Sequence, residues 1–283
     1  MEKILVTGAN GQLGSELFIL SSNYPQNKWI FADRSQITLD DLNLLQTQLE
    51  ELQPTIILNC AAYTAVDKAE TEKELANIVN HLAVDIIAKY SIKNGVKLIH
   101  ISTDYVFDGS SSVALDEDAL TNPINVYGET KRLGELACLQ GNPNSIIIRT
   151  SWVYSKFGNN FVKTMQRLML ERDLISVVND QIGSPTYAAD LALIMIEIIL
   201  SDKWTSGIYN FSNEGEISWY EFALTIKDVG GYECEIEGIP SSAYPTPAKR
   251  PSFSLLDKSK VKRIYGVDVP NYKESLKKMM AQL

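Results

Sequence analysis

The chain has 283 residues, of which 45 % are apolar and 22 % charged, and its formal net charge is −9. A chain of this length buries enough apolar surface to fold without a disulfide or a structural metal. Its acidic balance argues against a nucleic-acid partner, which would normally meet a basic stripe. Three widely spaced cysteines exclude a disulfide framework, and two histidines are too few for a histidine-based zinc site.

The amino-terminal residues, MEKILVTGANG, pass directly from a short apolar run into a glycine turn, which is not the pattern of a signal peptide. No apolar stretch reaches the roughly 18 residues of a membrane span. The most apolar segment, 191–200, contains Glu197. We therefore expect a soluble, cytoplasmic protein with no membrane partner.

Short apolar runs alternate with amphipathic stretches through the first half of the chain. The apolar runs predict strands at 3–6, 29–32, 55–59, 96–101 and 145–149. Helices are predicted to begin near Gly11 and to span 41–52, 72–94 and 127–139. Apolar strands that alternate with helices are typical of a parallel sheet covered on both faces. The sequence therefore predicts an α/β fold, with a Rossmann-like doubly wound parallel sheet that binds NAD(P) within residues 1–150.

The pattern changes after about residue 150. Helices are predicted at 161–171, 188–200, 219–228 and 272–283, and a short strand at 208–211. The proline-rich segment 240–251 cannot be regular throughout and predicts a loop over a site. Residues 151–283 are therefore predicted to form mainly a smaller substrate-binding part, interleaved with the core.

Three glycines, Gly8, Gly11 and Gly14, fall between the first predicted strand and the first predicted helix. Small residues at such a turn let the backbone approach a pyrophosphate, whose charge the helix N-terminus stabilises. A tight turn without a ligand explains one glycine but not three. The spacing therefore predicts a dinucleotide site.

Polar residues follow the second predicted strand. Asp33 ends the strand, where a carboxylate would meet the adenosine ribose, and Arg34 is able to pair with a 2′-phosphate. Asp40 lies in a stretch that could border the adenine. Because Asp33 and Arg34 favour different cofactors, we predict that both NADPH and NADH bind.

Tyr127 and Lys131 are four residues apart and thus share one face of a helix that follows the fourth predicted strand. A nearby ammonium stabilises a phenolate, so we expect Lys131 to lower the pKa of Tyr127 and ready it to donate a proton. Thr103, just past the fourth strand, offers a hydroxyl to the same carbonyl oxygen. In a doubly wound sheet, ligands bind at this end of the strands.

Longer blocks continue this pattern along nearly the whole chain. They are TGANGQLG at 7–14, LNCAAYTAVDKAE at 58–70, STDYVFDG at 102–109, NVYGETK at 125–131, RTSWVY at 149–154, GNNFVKTM at 158–165, NDQIGSPT at 179–186 and YPTPAKRPSFSLLD at 244–257. With these motifs the sequence resembles the extended short-chain dehydrogenase/reductase family, and within it the branch that acts on nucleotide-linked 4-keto-6-deoxysugars. The resemblance implies NAD(P)H-dependent reduction of the C4 keto group of dTDP-4-dehydro-L-rhamnose to dTDP-L-rhamnose, for cell-surface polysaccharide.

The resemblance also implies roles for individual residues. Tyr127 would protonate the sugar O4 as hydride reaches C4, Lys131 would hold the nicotinamide ribose, and Thr103 would polarise the same oxygen. The residues implied to face the cofactor are Gly8, Gly11, Gln12, Leu13 and Gly14 at the pyrophosphate, Asp33, Asp40 and Asp41 at the adenosine, and Ala61, Ala62 and Tyr63 after the third strand. The residues implied to meet the sugar nucleotide are Thr64, Val66, Asp104, Tyr105, Trp152, which would pack on the deoxysugar, and Arg250, which would meet the diphosphate.

Some members of this family form dimers bridged by Mg²⁺ through glutamates. Glu16 fits the first of these positions, but Gln282 stands where a carboxylate is needed, and Ala189 or Asp190 replaces the middle one. Because a hard cation needs anionic oxygen ligands, we predict no metal site and expect a monomer or a homodimer.

Two other functions fit the same fold. A sugar-nucleotide epimerase would use the same Tyr and Lys but return the hydride, and the AAYTAVDKAE and RTSWVY blocks argue against it. A regulatory subunit would bind NADP without catalysis and need not retain Thr103, Tyr127 and Lys131. Their retention favours the enzyme.

Overall fold

Strands and helices alternate along most of the chain, which a computed structural model describes over residues 1–283. The strands, in chain order, are β1 (Lys3–Thr7), β2 (Lys28–Ala32), β3 (Ile56–Asn59), β4 (Lys97–Thr103), β5 (Ile146–Thr150), β6 (Val153–Tyr154), β7 (Leu174–Val178), β8 (Ile182–Gly183), β9 (Thr186–Tyr187), β10 (Gly207–Asn210), β11 (Ile217–Ser218) and β12 (Glu235–Ile239). The helices are α1 (Gln12–Ser21), α2 (Leu42–Leu52), α3 (Val66–Ala69), α4 (Lys73–Asn77), α5 (Ala83–Lys93), α6 (Val126–Gly141), α7 (Phe161–Glu171), α8 (Ala188–Leu200), α9 (Trp219–Gly230), α10 (Ser259–Tyr265) and α11 (Tyr272–Met280). A π-helical segment, Ile78–Leu82, joins α4 to α5, so these segments form one continuous helix.

One six-stranded sheet runs through the protein, with its strands in the order β10, β5, β4, β3, β1 and β2. Every neighbouring pair in it is parallel. The inner strands β3 and β5 are buried along their whole length, as expected for a parallel sheet covered on both faces. The predicted α/β fold with a Rossmann-like doubly wound sheet is confirmed.

The side chains of β1 show how helices cover the two faces of this sheet. Ile4 and Val6 belong to an apolar cluster with residues of α1, α8 and α10, whereas Leu5 belongs to a second cluster with residues of α2 and α5. Successive side chains of a strand point to opposite faces, so a single strand anchors both layers. None of the helices has the length and apolar character that crossing a membrane requires.

The carboxy-terminal half contributes both to this sheet and to a separate cluster. β10 adds an edge strand beside β5, and α8 joins the apolar cluster that contains α1. A third apolar cluster is built on α7, α9 and α11, with the parallel pair β7 and β12 beside it. The division of the chain into a cofactor-binding part, residues 1–150, and a mainly substrate-binding part, residues 151–283, stays a prediction.

Most elements lie within two residues of their predicted bounds, and α7 and α8 match residue for residue. The last helix ends at Met280 rather than at 283. β4 continues through Thr103, so Thr103 ends the strand instead of following it. The elements that were not predicted are β6, β7, β8, β9, β11, β12, α3 and α10. β7 and β12 pair only with each other. The two strands are far apart in the sequence, so no local pattern indicates their pairing.

Candidate active site

The turn between β1 and α1 requires glycine at two positions. Gly8 has a φ of +70°, and a Cβ there would lie 2.9 Å from the backbone of Ala61, just after β3. A Cβ on Gly14 would lie 2.3 Å from the carbonyl oxygen of Gly8. No side chain caps the N-terminus of α1, so its free N–H groups are available to an anion. The turn thus has the open backbone and the positive helix end that suit a pyrophosphate.

A cavity of about 380 Å³ opens beside this turn. Because β1 lies between β2 and β3, the chain leaves β1 toward one side of the sheet and returns to β3 on the other, and nucleotides bind at such a switch point. The cavity is lined by Gly8, Arg34, Ile37, Leu39, Asp40, Ala61, Ala62, Tyr63, Ala65, Lys68, Glu72, Leu75 and Val79. This lining includes six members of the predicted cofactor set, namely Gly8, Arg34, Asp40, Ala61, Ala62 and Tyr63.

The polar residues after β2 form hydrogen bonds and an ion pair among themselves. Arg34 forms an ion pair with Asp40, and the Thr38 hydroxyl donates to the same carboxylate. Hydrogen bonds from Thr38 and Arg34 hold the pKa of Asp40 below its ordinary value. Asp33 accepts hydrogen bonds from the backbone and the hydroxyl of Ser35 and lies outside the lining of the cavity. Arg34 and Asp40 therefore line the cavity, and Asp33 does not.

The other predicted cofactor residues do not line this cavity. Gly11 and Gly14 lie in the turn beside it. Asp41 caps α2, where its carboxylate accepts two backbone N–H groups. Leu13 is buried in the apolar cluster beneath α1. Gln12 Nε2 donates to the carbonyl oxygen of Val153 at 3.3 Å. Gln12 therefore connects the glycine turn to the second half of the chain.

The predicted catalytic residues come together at the carboxyl end of β4. Thr103 is the last residue of that strand, and Tyr127 and Lys131 lie one turn apart on α6, all three buried. Tyr127 packs edge-on against Tyr105, with ring centres 5.5 Å apart. Lys131 Nζ donates to the carbonyl oxygen of Ile101 at 2.6 Å. The three side chains share one buried site.

Burial dominates the electrostatics of this site. It raises the pKa of Tyr127 to about 12, against hydrogen bonding with Thr103, which lowers it. Burial also lowers the pKa of Lys131 to about 8. The prediction that Lys131 lowers the pKa of Tyr127 is wrong for this structure. The Lys131 ammonium group donates to a backbone carbonyl, and burial of the Tyr127 phenol raises its pKa. Tyr127 is consequently protonated at neutral pH.

Four of the predicted substrate residues differ in burial and in their packing near Tyr127. Val66 and Tyr105 pack in the same small cluster as Tyr127, whereas Thr64 is exposed. Asp104 is buried, and its carboxylate accepts hydrogen bonds from Ser254 Oγ at 2.6 Å and from the neighbouring Thr103 hydroxyl. The carboxylate of Asp104 is thus held by hydroxyl groups of the protein itself.

A second cavity, of about 470 Å³, lies between α7, β7 and the proline-rich segment. It is lined by Asp67, Phe161, Thr164, Met165, Leu168, Arg172, Ile175, Ser176, Val177, Val178, Gln181, Trp219, Tyr244, Thr246 and Arg250. Arg250 Nη2 lies 2.8 Å from Asp67 Oδ2, and its guanidinium holds the pKa of Asp67 below the ordinary value. Of the predicted substrate residues, only Arg250 lines this cavity. Asp67 was missed, because its position in the AVDKAE block gives no sign of a partner so distant in sequence.

Trp152 has a φ of +48°, a genuine outlier for a bulky side chain. Its ring stacks on Trp219, with centres 3.7 Å apart and planes 13° apart, and Phe161 packs against Trp219 in turn. A Cβ on Gly183 would lie 3.0 Å from the Trp152 ring. Strained backbone persists where the surroundings enforce it, often at ligand sites. Trp219 and Phe161 line the second cavity, so the aromatic stack connects Trp152 to it.

The residues at the expected metal positions do not fit a hard cation. Glu16 is buried and accepts a hydrogen bond from Ser155 at 2.6 Å. Gln282 presents a neutral amide that donates to the Tyr187 hydroxyl. No group of three or more His, Cys, Asp or Glu side chains is arranged to hold a metal ion.

The whole chain, residues 1–283, matches the family model described as the RmlD substrate binding domain. The chain belongs to this family. Within the RmlD family, a dTDP-4-dehydrorhamnose reductase of Aggregatibacter actinomycetemcomitans is 39 % identical over 291 residues, which cover 99 % of each chain.

Two solved structures extend the similarity of this RmlD-family chain to three dimensions. A dTDP-4-dehydrorhamnose reductase of Clostridium acetobutylicum superposes with a TM-score of 0.94 at 36 % identity over 99 % of each chain. The Bacillus anthracis dTDP-4-dehydrorhamnose reductase, solved in complex with NADP, superposes with a TM-score of 0.93 at 38 % identity over 100 % of each chain. The resemblance predicted from the motifs is therefore confirmed.

Proposed function

We propose that this RmlD-family protein is an NAD(P)H-dependent dTDP-4-dehydrorhamnose reductase, which reduces the C4 keto group of dTDP-4-dehydro-L-rhamnose to give dTDP-L-rhamnose. The observation that carries the proposal is the buried group of Thr103, Tyr127 and Lys131 at the carboxyl end of β4. The names of its relatives agree with this reaction.

The neighbours of Tyr127 connect it to both cavities, which supports a transfer reaction. Tyr127 packs in one cluster with Tyr63, which lines the first cavity. It also packs against Tyr105, whose phenol is close enough to Arg250 to be affected by its charge, and Arg250 lines the second cavity. One ligand in each cavity would therefore meet near the Tyr127 hydroxyl.

We assign the first cavity and the glycine turn to NADPH or NADH, which supplies the hydride when bound. Gly8 and Gly14 leave room for a pyrophosphate at the uncapped end of α1. Arg34 and Asp40 line the cavity that would take the adenosine. Since this pair offers both a cation and a carboxylate, neither form of the cofactor is favoured by charge alone. The NADP complex of the Bacillus anthracis relative agrees with this assignment.

We assign the second cavity to the nucleotide half of the substrate. Arg250 offers a guanidinium, which suits a diphosphate, and Phe161 and Trp219 offer aromatic surface in the same cavity. The deoxysugar would then lie toward Trp152, whose ring is part of the aromatic stack. Residues 1–150 would thus serve mainly the cofactor, and residues 151–283 mainly the substrate.

The reduction adds a hydride to C4 and a proton to O4. Tyr127 can donate that proton because its phenol is protonated at neutral pH, although burial raises its pKa and so weakens it as an acid. A hydrogen bond with Thr103 lowers the pKa of Tyr127. In the substrate complex, the single hydrogen of the Thr103 hydroxyl would instead polarise O4. Lys131, with a pKa of about 8, is still mostly charged at neutral pH and is assigned to the nicotinamide ribose.

We also propose a cytoplasmic location. Cys60, Cys138 and Cys234 form no disulfide, and two of them are buried, as is typical of proteins kept in a reducing compartment. The nucleotide-sugar substrate is a small molecule, and we expect a monomer or a homodimer.

The experiment that tests the reaction is an assay of reduced-nicotinamide consumption with dTDP-4-dehydro-L-rhamnose, supplied by the enzymes that precede this step. Net consumption and formation of dTDP-L-rhamnose are expected. An epimerase would return the hydride and consume no cofactor. Cofactor binding without any turnover would instead favour a regulatory subunit.

The assignment of Tyr127 is tested by Tyr127→Phe, which removes only the hydroxyl. General acid catalysis contributes about 10²–10⁴-fold, so kcat should fall by that factor while the Kd for the cofactor stays the same. The two constants come from steady-state kinetics and a fluorescence titration. Retention of more than about a tenth of kcat contradicts the assignment.

A further inference from the structure

The side-chain amide of Gln12 joins the glycine turn to two places in the second half of the chain. Gln12 Nε2 donates to the carbonyl oxygen of Val153 at 3.3 Å, and Asn160 Nδ2 donates to Gln12 Oε1 at 3.0 Å. The residue is half-buried, and both ends of its amide are engaged by the protein. Gln12 thus links chain segments that are distant in sequence.

Both partners of this amide are neighbours of aromatic residues. Val153 directly follows Trp152, and Asn160 directly precedes Phe161. The rings of Trp152 and Phe161 both pack against Trp219, with ring centres 3.7 and 4.6 Å away. The amide therefore fixes the backbone next to two rings that contact Trp219, and Trp219 and Phe161 line the second cavity.

The chain between these two partners is also held to α1. Ser155 Oγ donates to the Glu16 carboxylate at 2.6 Å, one helical turn after the glutamine. Asn160 Nδ2 donates to the carbonyl oxygen of Ser155 at 2.6 Å, and Asn160 Oδ1 caps α7 by accepting the backbone N–H of Lys163. These bonds make residues 153–163 follow the first turn of α1.

The backbone of Gln12 faces the site of the other ligand. Gln12 is the first residue of α1, no side chain caps that end, and the first N–H groups of a helix have no partner within it. An anion bound at the glycine turn would accept hydrogen bonds from these N–H groups. It would thereby fix the residue whose side chain holds Val153 and Asn160.

The strained backbone of Trp152 is the feature that can respond to this link. Its φ of +48° is unfavourable for a bulky residue, and such strain is kept only where the surroundings enforce it. The bond from Gln12 to the carbonyl oxygen of Val153 is one of the contacts beside Trp152. A loosened Gln12 side chain should let Trp152 relax and disturb its stacking on Trp219.

We propose that Gln12 is a positioning residue that couples the two cavities: a cofactor bound at the glycine turn fixes Gln12, and the amide then holds Trp152 and Phe161 in the arrangement that receives the nucleotide half of the substrate. Gln12 acts through Val153 and Asn160 rather than by touching the substrate. This inference rests on the proposed function, which assigns one ligand to each cavity, and adds that each ligand strengthens the binding of the other.

The test measures this coupling with two ligands that cannot react with each other. NADP⁺ occupies the first cavity, and dTDP stands for the nucleotide half of the substrate in the second. Because dTDP lacks the deoxysugar, it should not reach the nicotinamide, and two anions repel each other at any distance. A mutual gain in affinity must therefore pass through the protein.

In the wild type, saturating NADP⁺ should lower the Kd for dTDP by about fivefold or more, and saturating dTDP should lower the Kd for NADP⁺ by the same factor. Isothermal titration calorimetry gives both constants. In Gln12→Met, which keeps the length of the side chain but loses both polar ends, the factor should fall to within about twofold of one. A merely structural loss weakens each ligand equally with and without the other, so it leaves this factor unchanged.

Asn160→Ser removes the same link from its other end. Serine still caps a helix, so α7 keeps its N-terminus, but the serine side chain is too short to reach Gln12. The coupling factor should fall as in Gln12→Met, and the double variant should show no further fall, because both changes remove one interaction. Gln166→Met is the matched control: it makes the same change on α7, where the Gln166 amide donates to the Tyr232 hydroxyl at 3.1 Å, and its coupling should equal that of the wild type.

A wild type in which the two ligands bind independently, or weaken each other, overturns the inference and leaves the proposed function standing. Full coupling in Gln12→Met or in Asn160→Ser overturns it as well, as does an equal loss of coupling in Gln166→Met. Coupled binding by a protein that never reduces the keto sugar defeats the proposed function alone.

A second measurement follows the aromatic stack itself. Saturating NADP⁺ should increase the near-ultraviolet circular dichroism of the stacked Trp152 and Trp219 in the wild type but not in Gln12→Met. The signal that Trp152→Ala loses identifies the contribution of the pair. No change in the wild type, or an equal change in both proteins, overturns the inference.

Discussion

The two cavities differ in what forms their walls. The first is lined by residues between Gly8 and Val79, about a quarter of the chain, and a Cβ on Gly8 would meet the backbone of Ala61 at 2.9 Å. The second is formed by residues from Asp67 to Arg250, and its polar contact is a side-chain pair between those two residues. Changes of side chain should therefore affect the second cavity more than the first, except at the glycines.

The strongest test of this contrast is Gly8→Ala compared with Gly95→Ala. Both glycines have a positive φ, +70° and +64°, but a Cβ on Gly8 would meet the backbone of Ala61 at 2.9 Å, whereas nothing lies within 4 Å of a Cβ on Gly95. Each substitution carries the left-handed cost of about 1–2 kcal/mol. Only Gly8→Ala should also distort the cavity and raise the Kd for the cofactor more than about tenfold.

Thermal unfolding measures the loss of stability that the two variants share, and a fluorescence titration with NADPH measures the Kd for the cofactor. Equal changes of Kd in the two variants would contradict the view that the close approach of Gly8 to Ala61 shapes the cofactor cavity.

Arg250→Ala should affect the second cavity alone. A hydrogen bond to a charged group contributes about 1.5–3 kcal/mol, so KM for the sugar nucleotide should rise by about 10–100-fold while the Kd for the cofactor stays the same. Arg167→Ala is the control, because Arg167 pairs with Glu171 on the exposed face of α7 and such pairs contribute little. If Arg250→Ala lowers only the unfolding temperature and leaves KM unchanged, Arg250 stabilises the proline-rich loop and does not bind the substrate.

Trp152→Ala should have the next largest effect. An indole that packs on a deoxysugar contributes on the order of 1–3 kcal/mol, so KM should rise while the Kd for the cofactor changes little. In this structure the ring also stacks on Trp219, so near-ultraviolet circular dichroism should lose the signal of the stacked pair. A sharp fall in thermal stability with KM unchanged would make Trp152 a core residue.

The smallest effects are expected at Asp33 and Arg34, next to the first cavity. Arg34 is exposed and its pairing with Asp40 is weakened by solvent. Arg34→Ala should weaken NADPH selectively and Asp33→Ala should weaken NADH selectively, each by less than about tenfold. Values of kcat/KM with both cofactors decide the point. A wild-type preference above about a hundredfold, or equal losses for both cofactors, would show that this pair does not distinguish them.

The contrast between the cavities also explains what the sequence could predict. Gly8 and the residues after β3 belong to short motifs, so the first cavity was largely predictable from local pattern. The pairing of Asp67 with Arg250 and the stacking of Trp152 on Trp219 depend on chain segments that meet only after folding. No local rule places a tryptophan at a φ of +48°.

Two further features were hidden for related reasons. The spacing of Tyr127 and Lys131 predicted that they share a helix face, but spacing contains no information on burial, which decides both pKa values. The apolar periodicity before β4 continues through the π-helical segment, so the sequence predicted an unbroken helix. Within that segment, the Asn80 side chain accepts the backbone N–H of Tyr63 at 2.8 Å and so helps to fix the wall of the first cavity.

The edge strand β10 has a consequence for how this protein is made. A ribosome releases β5 long before it has synthesised β10 and α8, so the growing chain has an uncovered parallel edge and an unfinished apolar layer over α1. Exposed sheet edges are templates for pairing with other chains. A fragment that stops near residue 150 should therefore aggregate rather than survive as a free nucleotide-binding module. Anyone who transplants the cofactor half into a chimaera must carry α8 and β10 along with it.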